Sequence, residues 1–535
     1  MPTAPVDLEI GSFTDDAPWV VDLDAITWRR GIDVLRASTA RQVPALISPR
    51  RVPPLGRLAT VSTRLGRALI PWAVGARRKG GSESRAVLSR RLRLAAEALG
   101  PTYIKLAQIV SSGEGIFPAE LVDECKKCRD QVPPEPWATV ERVVVEELGA
   151  PLDTVFASFD RVPLAAASIA QVHAAALVDG TPVVVKVQRP SISEAVHRDL
   201  AVMAWIAPFL VGRIPVAALA NPPALVELFA ETISEELDFR LEAQNMLDLA
   251  RVFAAVGERG YVVPRPHPTL VTRRILVMER FDGFAFDDVD EMRAGGVDTH
   301  EVIRIGIRGF TEGCMLHGIF HGDLHGGNLL ILRDGRIGLL DYGITARMTT
   351  KERMAFLKLM AAAPTGVIPP QVEAFRDLGA LPPDTDIDDV IVQLGLDQEV
   401  VDPTTMDQDQ LVEEIQRITK ALLGSGAKLP KILMLFVKNL VFLDGAIARL
   451  APDLDMIEVF TNLATTVAQK HGDLLAAELG IDTSNFEADP EVIKASFGIV
   501  DPDVEQVTYA DLAARRELIR NRLAGGQRHR RRPIT

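Results

Sequence analysis

The chain has 535 residues, of which 47% are hydrophobic, so it is too apolar for a disordered chain and long enough for two or more compact domains. Its formal net charge of −13 argues against dedicated nucleic-acid binding, which depends on neutralising phosphates. Three cysteines in this length exclude a disulfide scaffold and favour a reducing compartment.

No signal peptide or membrane-spanning segment is visible in the sequence. Residues 1–16 carry acids and lack the basic and then apolar order of a signal peptide. The most apolar long stretch, residues 201–226, is interrupted by Arg213 and by four prolines. It falls short of the roughly 20 apolar residues that a spanning helix needs. We therefore expect a cytoplasmic protein without a transmembrane segment.

Basic residues crowd into residues 50–93, where Glu83 is the only acid. Within this segment, residues 57–72 repeat apolar side chains at helical spacing, which predicts an amphipathic helix. One interpretation places this helix on an anionic membrane surface, with Trp72 at the interface. The other interpretation packs the apolar face against the helix's own domain, as is usual in globular proteins.

The pattern changes from helix to β-strand at residue 172. Two strand-like runs, 172–178 and 183–187, flank Asp179-Gly180, and Asp-Gly is typical of a tight hairpin turn. The next stretches are helical in pattern, and residues 274–279 predict a further strand.

The rest of the chain predicts a helix, a second hairpin and then mainly helices. The helix is expected over residues 301–317, and the hairpin joins 329–332 to 337–340. A small strand-rich part before a larger helical part predicts an α+β fold with two lobes.

The loop before the second hairpin carries side chains suited to phosphoryl transfer. Asp323 and Asn328 lie in the segment His-Gly-Asp-Leu-His-Gly-Gly-Asn, and Asp341 directly follows the hairpin. Phosphoryl transfer needs positioned Mg²⁺, which prefers oxygen ligands, and a group that orients the nucleophile. We interpret Asp323 as the group that orients or deprotonates the acceptor, and Asn328 and Asp341 as the metal ligands.

Two other interpretations of the same loop remain open. One is a hydrolytic metal site built from His321, Asp323 and His325, although no second histidine cluster is present to complete it. The other is a glycine-rich structural turn in which the histidines cap the loop. Asp341 and the hairpin before it favour phosphoryl transfer over both.

Lys186 lies inside the apolar run 183–187, where an unpaired ammonium is costly to bury. The strand could be an edge strand whose lysine faces water. The functional interpretation has Lys186 hold the α- and β-phosphates of ATP and pair with a helical glutamate from residues 235–242.

A second triplet, His197-Arg198-Asp199, spells the catalytic signature of ordinary protein kinases. It follows Lys186 too closely, lies in a helical stretch, and has Ala204 where the signature requires asparagine. We interpret the triplet as a coincidence.

These motifs together resemble the UbiB family of atypical kinases, also called the AarF-domain or ADCK family, over residues 99–455. The resemblance implies a bilobal protein-kinase-like fold, ATP and Mg²⁺ as cofactors, and kinase or ATPase activity in isoprenoid quinone or other lipid metabolism. It also implies a quinone precursor or lipid as partner and association with membranes, for which residues 50–93 are the candidate. The implied divisions are a basic helical extension (1–95), an N-lobe (96–283), a C-lobe (284–455) and a helical C-terminal region with a basic tail (456–535).

The resemblance assigns further residues to the nucleotide site. The family's ExD motif falls on Glu236 and Asp238, which makes Glu242 the implied partner of Lys186. The family also replaces the glycine-rich nucleotide loop of kinases with an alanine-rich loop, here Ala165, Ala166, Ala167, Ser168, Ile169, Ala170 and Gln171.

Two more segments match the family. Residues 278–281 are the implied hinge that meets adenine, through Glu279 and Phe281. Lys105-Leu106-Ala107-Gln108 resembles the KxGQ signature, which lies across the active site in relatives and gives Lys105 and Gln108 a regulatory role. Ala107 stands where glycine is usual.

The remaining alternatives belong to other classes of protein. An aminoglycoside- or choline-kinase-like phosphotransferase shares the Asp323 loop, but the alanine-rich loop and the Lys105 segment count against it. A non-enzymatic, nucleotide-gated scaffold would bind ATP without turnover. Cys125 and Cys128 form a single CxxC, which by itself cannot fill a tetrahedral zinc site.

Overall fold

The structure is a computed structural model of the whole chain, and it shows an α+β fold. It divides into two compact units: Met1–Arg251, Val262–Asp282 and Leu339–Thr345 form the first, and Val252–Tyr261, Gly283–Gly338 and Ala346–Thr535 form the second. The predicted fold class is confirmed. The residues described are 26–48, 55–75, 81–111, 118–128, 133–210, 222–362, 367–397, 406, 410, 417, 425, 430–479, 488–497, 499, 504 and 506–529.

Helices make up most of the described chain. The earlier ones are α1 Ile32–Leu46, α2 Leu55–Val74, α3 Gly81–Leu99, α4 Pro101–Ser111, α5 Ala119–Cys125, α6 Trp137–Leu148, α7 Leu152–Val155, α8 Ile192–Leu210, α9 Pro222–Glu236 and α10 Phe239–Val256. The later ones are α11 Val289–Ala294, α12 Thr299–Glu312, α13 Thr350–Ala362, α14 Ile368–Asp377, α15 Ile387–Leu394, α16 Lys431–Leu450, α17 Met456–Leu479, α18 Pro490–Ser496 and α19 Tyr509–His529.

The predicted amphipathic helix is α2, and its apolar face is packed inside the first unit. Val61 lies in a core cluster with residues of α8 and α9. Trp72 is 8% exposed and its indole nitrogen donates a hydrogen bond to the Ser84 hydroxyl at 3.0 Å. The packing interpretation therefore describes this face, and Trp72 is not available to a membrane interface.

A six-stranded antiparallel sheet forms the β part of the first unit. Its order is β1-β3-β4-β7-β6, with β2 paired to β3. The predicted hairpin is β3–β4, and Gly180 supplies the positive φ (+88°) that its turn requires. The strands are β1 Phe156–Phe159, β2 Ala165–Ala166, β3 Ala170–Leu177, β4 Pro182–Gln188, β6 Pro266–Val271 and β7 Ile275–Glu279.

Alternation along β4 sets the position of Lys186. Val183, Val185 and Val187 are buried in a core cluster that also contains valines of α6. Because successive side chains of a strand point to opposite faces, Lys186 projects from the other face of the sheet.

Two smaller sheets contain the remaining strands, in the orders β5-β11-β10-β8 and β12-β9. The second predicted hairpin is β10–β11, whose turn has Gly335 at φ +86°. The helix expected over 301–317 is α12, which continues as a short π-helical turn, Gly313–His317. The strands are β5 Tyr261–Val262, β8 Gly283–Ala285, β9 Ile319–His321, β10 Leu329–Leu332, β11 Ile337–Leu339 and β12 Thr345–Arg347.

No helix among the described residues combines the length and apolar character that crossing a membrane requires.

The kinase-like triplet at residues 197–199 has a structural role. Asp199 is 2% exposed on α8, and its carboxylate binds the Arg57 guanidinium at 2.5 and 3.1 Å. Arg57 also donates to the backbone oxygen of Leu99. The pair therefore joins α2 to α8, as expected if the triplet is a coincidence.

We predict that Asp199→Asn lowers stability without altering nucleotide binding. The substitution removes the charge that the partly exposed Arg57 pairs with, so we expect a loss of about 1–2 kcal/mol in the free energy of unfolding, measured by urea denaturation. Loss of nucleotide binding at unchanged stability would contradict the structural role.

Candidate functional site

Lys186 and Glu242 form a buried ion pair in the first unit. Glu242 lies in the first turn of α10, and the Lys186 ammonium contacts its two carboxylate oxygens at 2.7 and 2.9 Å. The side chains are 14% and 3% exposed. Burial lowers the pKa of Lys186, but the nearby carboxylates of Asp341 and Glu242 raise this pKa by more. The side chain therefore remains an ammonium ion.

Asp341 brings a second carboxylate to this pair. It follows β11, and its Oδ1 lies 3.5 Å from the Lys186 ammonium while accepting a hydrogen bond from the Gly343 backbone at 2.9 Å. Its side chain is 41% exposed, unlike Glu242. A Cβ on Gly343 would lie 3.2 Å from side-chain atoms of both Asp341 and Glu236, so a larger residue here would require those side chains to shift slightly.

Lys105 reaches the same region from α4. Its ammonium lies 2.9 Å from a carboxylate oxygen of Glu236 at the end of α9, and the side chains are 13% and 8% exposed. Asp238 pairs with Arg240 at 2.7 Å at the start of α10. Gln108 lies on α4 close to one turn after Lys105. The structure thus brings the KxGQ-like and ExD segments together, and their regulatory role remains a prediction.

An N-terminal segment contacts both α10 and β6. Arg36 of α1 donates to the amide oxygen of Asn245 on α10 at 2.8 Å, and Asn245 donates to the backbone oxygen of Tyr342 at 2.9 Å. Just before α1, the buried Trp28 donates to the backbone oxygen of His267 at 3.0 Å. The helix that carries Glu242 therefore also holds the peptide next to Asp341.

The alanine-rich segment uses several of its side chains in the protein core. Ile169 packs in a core cluster, and Gln171 accepts a hydrogen bond from the Glu135 backbone at 2.8 Å and contacts His173 at 2.7 Å. The remaining residues of the segment have small side chains. Two of them form β2, and the full set is Ala165, Ala166, Ala167, Ser168 and Ala170. Any nucleotide contact from Ile169 or Gln171 would therefore have to come from the backbone.

In the implied hinge, residues 278–281, the side chain of Glu279 is also occupied by a contact within the protein. The Glu279 carboxylate is bound by the Arg265 guanidinium at 2.6 and 2.8 Å, so its side chain already has a partner. Phe281 is half-buried two residues further along. A hinge contact with adenine would use the backbone of this segment.

The second unit holds the Asp323 loop. Asn328 donates from its side-chain amide to the backbone oxygen of Asp323 at 3.0 Å. His321 accepts from the Asp323 backbone at 3.2 Å, and His325 accepts from the Gly327 backbone at 3.1 Å. Both histidine rings thus cap the loop, which counts against the hydrolytic metal site.

Sequence reasoning missed two residues of α16 that contact this loop. The Lys438 ammonium binds the Asp323 carboxylate. Asn439, which is fully buried, donates to the backbone oxygen of His321 and accepts from the backbone nitrogen of Leu324 at 3.2 Å. The available signal was a Lys-Asn pair in the middle of an apolar helix.

The two cysteines of the CxxC segment are buried with Trp72 in one core cluster. Burial raises the pKa of Cys125 to about 12 and that of Cys128 to about 11, so both are protonated at neutral pH. Their environment is that of core residues rather than of reactive thiols.

Comparison with known proteins decides the family. The ABC1 atypical kinase-like domain matches residues 127–366. An uncharacterized protein of Mycobacterium tuberculosis H37Rv is 33% identical over 471 residues, which are 84% of this chain and 93% of that protein. An uncharacterized aarF domain-containing protein kinase of Arabidopsis thaliana, described as chloroplastic, is 31% identical over 392 residues, 69% of this chain and 73% of that protein. The chain belongs to the ABC1 family.

This is the UbiB, AarF-domain or ADCK family that the motifs resemble, so the predicted membership and the kinase-like fold are confirmed. Among solved structures, a Mycobacterium tuberculosis protein in complex with erythromycin matches with 23% identity and a TM-score of 0.37, over 64% of this chain and 90% of that chain.

We predict that Lys186→Met destabilises the protein by about 3 kcal/mol, because Glu242 is left buried without its partner. Burial raises the pKa of Glu242 whereas Lys186 lowers it, so removing Lys186 raises this pKa further, and a carboxyl with a raised pKa in the folded state destabilises the fold less as the pH falls. The deficit relative to the parent protein, measured by urea denaturation, should therefore shrink as the pH is lowered from neutrality.

Adding Glu242→Gln to Lys186→Met is the control. Removing the unpaired charge should restore part of the lost stability, and the deficit should no longer shrink as the pH falls. A deficit that the second substitution deepens would mean that the pair is not the source of the effect.

Proposed function

We propose that the protein binds Mg²⁺-ATP and transfers the γ-phosphate to water or to a small-molecule acceptor, in support of isoprenoid quinone or other lipid metabolism. The observation that carries this proposal is the Lys186–Glu242 pair with the half-exposed Asp341 carboxylate beside it. Membership of a family of atypical kinase-like proteins, with a relative named as a protein kinase, supports it.

The charges in the first unit fit a nucleotide bound with a cation. One ammonium, Lys186, faces two carboxylates, so this group carries a net negative charge. A divalent cation that prefers oxygen ligands would compensate that charge, and Asp341 presents the more exposed carboxylate to it. Asp341 and Asn328 would hold Mg²⁺, which when bound neutralises charge on the phosphate oxygens.

Three further residues have a defined task in this proposal. Lys186 binds phosphate oxygens of ATP, and Glu242 fixes its position. Asp323 accepts a hydrogen bond from the attacking hydroxyl or water and takes up its proton. The attacking oxygen forms a bond to the γ-phosphorus, the bond from that phosphorus to the bridging oxygen breaks, and ADP keeps the electron pair.

We predict that Asp341→Asn and Asp323→Asn have different effects. Asp341→Asn should weaken Mg²⁺-dependent ATP binding at least about tenfold, because it removes an anionic metal ligand. Asp323→Asn should retain binding and lower phosphate release by roughly 10² or more. Binding is measured by thermal shift with ATP, with and without Mg²⁺, and release with Mg²⁺-ATP and a panel of isoprenoid phenols.

The two variants control for each other, because each replaces one aspartate by its isosteric amide. An unchanged Mg²⁺-dependent shift in Asp341→Asn would refute the metal assignment. Release at the parent rate in Asp323→Asn would remove Asp323 from the reaction. Binding without release by the parent protein, with every acceptor, would favour the nucleotide-gated scaffold.

We also propose that the basic segment 50–93 meets an anionic membrane through the outer side of α2. Ile70 and Val74 are 65% and 72% exposed there, and Arg67 is exposed on the same helix. Exposed apolar side chains next to arginine are suited to the surface of an anionic bilayer.

Ile70→Asp combined with Val74→Asp should abolish flotation with anionic vesicles and leave the fold intact by circular dichroism. Val34→Asp, at a residue of α1 that is 74% exposed, is the matched control and should float like the parent. Failure of the parent protein to float would remove this proposal.

A further inference from the structure

Helix α16 places a lysine on the loop that carries Asp323. Lys438 and Asn439 interrupt an otherwise apolar stretch of this helix, and both contact the loop. Asn439 binds the backbone at His321 and Leu324, on either side of Asp323, while Lys438 binds the Asp323 side chain. Three contacts over four loop residues fix this part of α16 to the loop.

Aromatic side chains of other elements pack against the same part of α16. Phe436 stacks on Phe310 of α12 at 5.4 Å and meets Phe356 of α13 edge-on at 4.8 Å. It also lies edge-on to Phe320, next to His321, at 6.4 Å. Phe436 thus packs this part of α16 against three buried rings, two residues before Lys438.

The exposure of the pair shows that it lies at a partly open surface. The Lys438 and Asp323 side chains are 17% and 18% exposed, so both are largely withdrawn from water but remain partly accessible. An ammonium has three N–H donors, and a single carboxylate oxygen uses one of them. The geometry of a lysine thus allows Lys438 to bind a second anion while it holds Asp323.

A carboxylate in a phosphotransfer site creates an electrostatic problem. Asp323, acting on the acceptor as proposed above, would repel the γ-phosphate of ATP, since like charges at close range in a partly buried site cost several-fold more than in water. A cation next to Asp323 cancels this repulsion and can donate to the phosphate oxygens.

We propose that Lys438 is a second phosphate-binding residue of the site, which holds Asp323 and binds the γ-phosphoryl group. The inference rests on the proposed function, because it takes Asp323 to act beside that group. Its consequence is a preference for nucleoside triphosphate over diphosphate, since only the triphosphate carries the group that Lys438 binds.

The test compares two nucleotides on the full-length protein. Calorimetric titrations with Mg²⁺ and either a non-hydrolysable ATP analogue or ADP are made on the parent, Lys438→Met and Lys438→Arg. We expect Lys438→Met to lose about tenfold in affinity for the ATP analogue and little for ADP, and Lys438→Arg to retain most of the preference. Lys358→Met, at an exposed lysine of α13, is the charge-matched control and should leave both affinities unchanged.

A second comparison covers the case in which Lys438→Met misfolds because Asp323 loses its partner. The asparagine in Asp323→Asn is neutral, so it does not depend on the charge of Lys438. We therefore compare Asp323→Asn alone with the double variant Asp323→Asn/Lys438→Met. The double variant should have the weaker preference for the ATP analogue over ADP.

An equal preference in the two Asp323→Asn backgrounds, or an unchanged preference in a folded Lys438→Met variant, would overturn the role of Lys438 while leaving the proposed function in place. A parent protein that binds neither nucleotide would overturn the proposed function as well.

Discussion

The buried pair between Lys186 and Glu242 is the contact on which the rest of the site depends. Its gross attraction is large, but removing both charges from water offsets most of it, so the pair contributes position more than stability. It joins the sheet to α10 at a fixed distance. The other groups that α10 holds, including the peptide next to Asp341, are therefore positioned relative to Lys186.

Helix α10 transmits this constraint in two directions. Its residue Asn245 binds the backbone of Tyr342, so the carboxylate of Asp341 follows the position of the helix. Arg36 binds the same asparagine, so the N-terminal segment stabilises one arrangement of α10. The neutral amide of Asn245 thus links a guanidinium to a backbone oxygen beside the charged centre, without adding a further buried charge.

Local patterns in the sequence were sufficient for strands β3, β4, β7, β10 and β11, for both hairpins and for the candidate loop, whereas the other described strands were not predicted. Asp-Gly turns and alternating valines determine structure over only a few residues, so they can be recognised without knowledge of the fold. The resemblance to the family, rather than any local pattern, pointed to Glu242 as the partner of Lys186. The kinase-like triplet at residues 197–199 was interpreted as a coincidence because its surroundings are helical. In the structure, Asp199 of this triplet binds Arg57.

Contacts between distant segments could not be predicted in the same way. Lys438 and Asp323 are 115 residues apart, and Arg36 and Asn245 are 209 apart, so no periodicity links them. Burial was also invisible, so the sequence did not indicate that the side chains of Gln171 and Glu279 have protein partners.

The span matched by the kinase-like domain has a practical consequence for work on this protein. Residues 127–366 include Lys186, Glu242 and Asp341, so a recombinant fragment with those ends would keep the motifs intact. It would nevertheless lack the helices that contribute Arg36, Lys105 and Lys438. If such a fragment were inactive, the loss of these supporting helices would explain the result, and nothing would follow about the chemistry of the motifs.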